Sequence, residues 1–391
     1  MCAPGLEEWC ATEVGALGVP IRRTFRGGVE FSASDRQLYA ANLWLRTATR
    51  VVVRVARYMA ATAAELTATA SQVPWSEWVP EGSTPVVRVS STSSRLSHTG
   101  LVAERLAEVA GTGDAPGPLL IARLIHDRVT LSIDSSGAPL HQRGWRTDGG
   151  KAPLRETLAA AVILASGWDR SGPLLDPLCG SGTLAIEAAL SAAGRPPGEG
   201  RRFAFQDWPS FQPGTWASVT GDAGPGRPAA TRPVIVATDR DAGAVATARA
   251  NAERAGVADR ITTAQASVSE LGRAELVGAG AGPGWLVTNP PYGKRVAGGD
   301  LRDLYARLGD VARARLPGWT AALLVADPGL AGQTRLRLEE RLRTSNGGLA
   351  VHLLVGRIPE RDGPGRDLPG RDGPGRDLPG RDGPGRDLPG G

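Results

Sequence analysis

The stretch LLDPLCGSGTLAIEAA, residues 174–189, opens as a buried strand and closes as a helix. Two leucines lead into Asp176, Gly180 and Gly182 permit a tight turn that most residues cannot make, and a helix starts near Thr183. Strand, glycine turn and helix in that order are the first half of a βαβ unit. The glycines also let the backbone approach a ligand closely, as a nucleotide-class cofactor requires, although such turns occur as plain connections too. Asp176 narrows the choice. A carboxylate ahead of the glycines repels pyrophosphate but can hold an ammonium group or a ribose. Ala185 stands where the dinucleotide fingerprint wants its third glycine, a substitution that fingerprint tolerates. The acid therefore argues against NAD more strongly than the missing glycine does.

Outward from this stretch the alternation continues. Helix APLRETLAAAVILAS precedes it, and VIVATD, ITTAQAS, WLVTN and AALLVAD follow as strands separated by helices such as AGAVATARANAERAG and LRDLYARLGDVARARL. This pattern predicts a doubly wound, mainly parallel α/β sheet, in which ligands collect at the carboxyl ends of the strands. An irregular insertion from about Gly194 to Pro233 interrupts it and carries no readable period.

Two further strand ends bear chemistry. In VIVATDRDAG, Asp239 ends a strand and could accept hydrogen bonds from both ribose hydroxyls, while Asp241 suits a helix cap. In WLVTNPPYGKR, residues 285–295, a buried strand runs into an amide, two prolines and an aromatic ring. Proline donates no N–H and disfavours helix in the residue before it, so Asn289, Pro290 and Pro291 form a stiff loop with carbonyl oxygens free to accept. Tyr292 adds a flat ring beside them. Taken alone, this could be a turn that closes a strand. Beside a cofactor loop, it is an acceptor pair next to a stacking surface, which suits a flat ring bearing N–H groups.

Before residue 151 the pattern is different. Residues 1–57 read as a small α+β unit and 58–150 as a second one, with Arg88, Arg95 and His98 near a strand-to-helix junction. The end of the chain, 361–391, is three copies of RDGPGRDLPG and a final glycine; it has almost no apolar surface and reads as a disordered tail. The net charge of +5 is compatible with a polyanionic partner, but all the basic residues except Lys151 and Lys294 are arginine, which reflects the chain's general composition as much as any ligand. Three cysteines without metal-ligand spacing, no apolar run of membrane length and acids where a signal peptide needs an apolar core predict a reduced, cytoplasmic protein with no metal and no membrane partner.

DPLCGSGT together with NPPYG resembles the class I S-adenosylmethionine-dependent methyltransferases that modify exocyclic or amide nitrogens. CAPGLEE, NLWLRTATR, SRLSHTGLVAERLAEV, GWRTDGGKAPLRETLAA and TSNGGLAVHLLVGRI extend the resemblance to bacterial RNA methyltransferases of large-subunit ribosomal RNA. The resemblance implies a Rossmann-like doubly wound class I methyltransferase domain over 151–360, preceded by a ferredoxin-like domain (1–57) and a THUMP RNA-binding domain (58–150). It further implies S-adenosyl-L-methionine as cofactor, held by Asp176, Gly180, Gly182, Thr183, Asp239, Ser267 and Asn289. Ser267 stands where relatives carry an acid toward the adenine amine. Catalysis would rest on Asn289, Pro290 and Tyr292, acting on guanine N2 in 23S ribosomal RNA or a ribosome assembly intermediate. Pro291, Tyr292, Arg95, Arg143 and Arg146 would contact the RNA. Cys179 needs no role as a nucleophile. The same loop also serves tRNA guanine N2, adenine N6 and protein glutamine methylation, and an inactive RNA-binding assembly factor would share the fold.

Overall fold

The computed structural model describes residues 1–146, 154–222, 224–226, 228–271, 282–291 and 301–360. The expected tail, the 150/151 boundary and Tyr292 lie outside the described residues.

A seven-stranded sheet organises the C-terminal half. Its strands are β7 (Leu174–Asp176), β8 (Ile235–Asp239), β9 (Ile261–Gln265), β10 (Trp285–Thr288), β11 (Thr320–Val325), β12 (Glu339–Asn346) and β13 (Leu349–Arg357), in spatial order β12-β13-β11-β10-β7-β8-β9. The five strands from β9 to β11 pair in parallel. Their apolar runs follow from burial on both faces. Leu174, Ile235 and Val287 join a core with helices α5 (Glu156–Ala165), α6 (Thr183–Ala192) and α8 (Ala242–Arg254). Their neighbours Leu175, Val236 and Leu286 join a second core on the opposite face with α9 (Leu301–Arg315). The result is three layers.

The sheet is mixed rather than wholly parallel, because β12 and β13 form an antiparallel hairpin at one edge. Gly347 and Gly348, both at positive φ, make its turn. The chain steps outward from β7 to β8 and β9, then crosses back to β10 on the other side of β7. That reversal opens a crevice beyond Asp176 and Asn289.

The first unit consists of α1 (Glu7–Ala16), a hairpin of β1 (Ile21–Phe25) and β2 (Gly28–Phe31), and α2 (Asp35–Trp44), which starts at a Ser34/Gln37 capping box. The sequence IRRTF of β1 hides its strand character behind two arginines. The next strand, β3 (Val52–Met59), lies mostly within residues 1–57, read from sequence as the first unit, yet it pairs along its length with β6 (Arg128–Asp134). It thereby enters the second unit's sheet, ordered β3-β6-β5-β4, with β4 at Ser83–Thr92 and β5 at Ala115–Ile125. Helices α3 (Ala63–Ala70) and α4 (Thr99–Ala110) cover one face of that sheet, where Leu120, Leu124, Leu131 and Ile133 are wholly buried.

The insertion joins the halves. Its α7 (Pro213–Gly221) lies along α2, Phe205 stacks on Tyr39 at 4.3 Å between ring centroids, and the Gly198 N–H donates to the Leu43 carbonyl. The stretch that reads least in sequence is thus packed between the first unit and the large sheet.

Candidate active site

The β7 end builds the floor of the crevice. Asp176 is buried, and its Oδ1 accepts from the Thr288 hydroxyl at 2.7 Å and the Leu178 N–H at 3.3 Å. Burial, against the pull of these two hydrogen bonds and with a smaller push from Asp239, raises its carboxyl to about 7. A carboxylate in that setting invites a cation. Thr288, immediately before Asn289, thus fixes Asp176, a role sequence reasoning missed because an apolar-flanked threonine reads as ordinary strand.

Gly180 and Gly182 lie at φ +52° and +82°. A Cβ on Gly180 would meet nothing within 4 Å, whereas one on Gly182 would lie 2.9 Å from Ala248 Cβ. Gly180 leaves room above the turn, and Gly182 lets α6 pack on α8. Asp239 Oδ2 accepts the Gly180 N–H at 3.0 Å and its Oδ1 accepts the Asp241 N–H at 3.0 Å. Asp241 caps α8 through the Gly243 N–H, as its position suggests. Cys179 is buried, and burial followed by Asp176 and Asp239 pushes its thiol far above the ordinary range, which removes it as a nucleophile.

At the β10 end Pro290 is buried. Among the described residues, Asn289 Oδ1 is buried without a hydrogen-bond partner. A buried amide oxygen left unpaired costs on the order of 1–3 kcal/mol, so a donor at this position would be favoured. Pro291 follows it at the rim.

Other expected residues sit differently. Thr183 is buried and its hydroxyl is taken by Arg146 rather than open to a ligand. The Ser267 hydroxyl donates to Glu270 Oε2 at 3.2 Å, so the acid near this position is Glu270, three residues on. The S-x-x-E spacing of a capping box was the signal for it. Arg143 and Arg146, expected to contact RNA, are instead held by partners inside the protein. Arg143 is buried, ion-paired with Glu187 at 3.3 Å and bonded to the carbonyls of Leu140 and Arg46. Arg146 is held by Glu156, Thr183 and the Leu154 carbonyl. Neither can reach a phosphate without abandoning buried partners. Arg95 is exposed beside Asp127.

The open face of the second unit's sheet carries the arginines that sequence reading did not assemble. Register places Arg57, Thr130, Arg123 and Ser90 in one row, with Arg88 and Arg128 in adjacent rows of the same face. Between this face and the first unit lies a cavity of about 930 Å³ lined by Arg57, Arg123, Arg128, Phe25, Phe31 and Ile125 among others.

Residues 143–353 match the UPF0020 family model, an RMKL-like methyltransferase domain, and residues 1–52 match the RlmL ferredoxin-like domain. The chain is similar to the ribosomal RNA large subunit methyltransferase K/L of Syntrophotalea carbinolica, with 35% identity over 91% of this chain and 53% of the relative. The protein of the same name from Chromohalobacter salexigens is 36% identical over 90% of this chain and 51% of its own length. The chain therefore spans about half the length of these curated relatives. Among solved structures, a possible methylase from Clostridium difficile 630 superposes with a TM-score of 0.82 at 29% identity, covering 93% of this chain and 97% of that one. SMU.472, complexed with SAH, gives 0.82 at 27% identity, covering 92% and 97%.

Proposed function

The chain belongs to the UPF0020 family of RMKL-like methyltransferase domains, and from that premise we propose that it methylates the exocyclic N2 of a guanine in RNA, with S-adenosylmethionine as donor and 23S ribosomal RNA or a ribosome assembly intermediate as substrate. One observation carries the chemistry: the buried Asn289 Oδ1, without a hydrogen-bond partner among the described residues, just past β10 and next to the strand that ends in Asp176.

When bound, S-adenosylmethionine supplies a methyl group on a positively charged sulfur. Asp176 suits its ammonium group, the space above Gly180 admits close approach, and Asp239 suits a ribose. Asn289 Oδ1 and the Pro290 carbonyl accept the two hydrogens of the guanine amine. Such acceptors stabilise positive charge growing on a nitrogen whose lone pair is otherwise delocalised into the ring, and they turn that lone pair toward the methyl group. Tyr292 stacks on the base. A base inside a helix cannot enter such a crevice, so the target is unpaired or flipped out. Capture of the RNA falls to the N-terminal half, where the arginine rows of the open sheet face fit phosphates better than the buried Arg143 and Arg146.

The test is transfer of labelled methyl from S-adenosylmethionine to ribosomal RNA, followed by nucleoside mass spectrometry. The expected product is N2-methylguanosine; N6-methyladenosine would overturn the base assignment.

Asp176 adds a pH dependence. The folded chain holds a proton up to about pH 7 that the unfolded chain releases near about 4. This group's contribution to stability is thus full below about pH 4 and lost as pH rises through about 7. A cation seated beside it favours the carboxylate and expels that proton. Affinity for S-adenosylhomocysteine should therefore rise with pH by up to about tenfold per unit below about 7 and level off above it. Calorimetric titration across that range checks this, and Asp176→Asn should flatten the profile. A flat wild-type profile would separate Asp176 from the ammonium.

A further inference from the structure

The linker that leaves the second unit is fastened to the glycine turn by two hydrogen-bond chains that start at consecutive residues. In the first, Arg146 Nη2 donates to the Thr183 hydroxyl at 2.5 Å and to the Leu154 carbonyl at 3.0 Å, while its Nε lies 3.3 Å from Glu156. Thr183 Oγ1 is in turn 3.3 Å from Ser181 Oγ. In the second, the Trp145 carbonyl accepts from Arg254 Nε at 2.8 Å, Arg254 Nη2 donates to Asn251 Oδ1 at 2.5 Å, and Asn251 Nδ2 donates to the Ser181 carbonyl at 3.0 Å. Asn251 is wholly buried. Both chains end on the Gly180–Gly182 turn, one through its side-chain hydroxyls and one through its backbone.

The same linker is fixed at its other end. Arg143 bonds the carbonyls of Arg46 and Leu140 and pairs with Glu187 of α6. One short segment therefore touches the first unit, the helix behind the turn and the turn itself.

We propose that Arg146 and Arg254 are positioning residues, which tie this linker to the glycine turn and hold the turn in the shape that receives the cofactor. The proposal rests on the reading of that turn as the cofactor site. It gives the two arginines a reason to be where they are: a guanidinium has five donors in a fixed plane and can bridge several acceptors at once, whereas an ammonium group is a single point that reaches fewer. By linkage, anything that shifts the linker shifts cofactor affinity, and the cofactor acts equally on the linker.

The experiment uses the full chain and S-adenosylhomocysteine as probe. Arg254→Met keeps the apolar stem and removes the donors; Arg146→Lys keeps a positive charge but has one nitrogen where Arg146 uses two, so it cannot hold Glu156 and the Leu154–Thr183 pair together. Arg195→Met is the control. Arg195 also anchors α8, through the carbonyls of Ala255 and Gly256 at its far end, and makes no contact with the turn. Each of the two test variants should raise the dissociation constant about tenfold, the loss of one charge-assisted hydrogen bond. KM for S-adenosylmethionine should rise with it, while kcat at saturation stays near wild type. Arg195→Met should lower the melting temperature without changing affinity. An unchanged dissociation constant in both test variants overturns the proposal, as does an equal loss of affinity in Arg195→Met at equal melting temperature. Failure of the wild-type chain itself to bind the probe would overturn the cofactor reading and this proposal together.

Discussion

Asn289→Ala should lower methyl transfer by roughly 100-fold or more and leave S-adenosylhomocysteine affinity nearly unchanged. The Asn289 Oδ1 atom is buried with no hydrogen-bond partner among the described residues, so none of them offsets its desolvation. The proposed target presents donors of the matching kind on its exocyclic amine. Removing the amide leaves a hole where charge develops in the transition state, which is why the loss should fall on turnover rather than on cofactor binding. Single-turnover rates with saturating cofactor measure it. The substrate can be altered from the other side: RNA with inosine in place of the target guanosine lacks the amine and should accept no methyl group. If Asn289→Ala keeps most of its rate, the acceptor role is wrong. If inosine-substituted RNA is methylated undiminished, the N2 assignment is wrong even where the acceptor role stands.

The places of Asn289, Pro290, Asp176 and Asp239 were legible because Asp176 and Asp239 end strands, Asn289 and Pro290 directly follow one, and a doubly wound sheet brings the carboxyl ends of its parallel strands to one edge. Local sequence was enough to place them. Other features depend on partners far along the chain. Thr288 finds Asp176 across 112 residues. Arg143 and Arg146 looked like surface cations because charge is visible in sequence and burial is not; their partners Glu187 and Glu156 sit in helices made mostly of alanine and other apolar residues. The arginine rows of the open sheet face needed the register of four strands, and β3 was placed with the wrong unit until its pairing with β6 was known. Hydrophobic period says that a strand exists, but not which sheet it joins.

The insertion shows the same limit and supplies the largest expected effect on stability. Phe205 is wholly buried, stacked on Tyr39 of α2 at 4.3 Å, with Phe203, Trp216 and Phe211 within 6 Å of its ring centre. Its N–H donates to the Ser135 carbonyl just past β6. One side chain therefore sits where the insertion, the first unit and the end of the second unit's sheet meet. Aromatic residues spaced irregularly along RRFAFQDWPSF give no helical or strand period, so nothing in the sequence announces this core. Phe205→Ala should cost about 3–5 kcal/mol, transfer energy plus the cavity left among rings that cannot close over it. Because the ring is shared, the loss should lower a single transition for the whole chain rather than release one half. Urea denaturation followed at once by tryptophan fluorescence and far-ultraviolet circular dichroism tests this. A loss below about 1 kcal/mol would mean the rings repack. Two separate transitions in the wild-type chain would mean that the N-terminal half folds as a unit of its own, and that the aromatic contact between them is incidental.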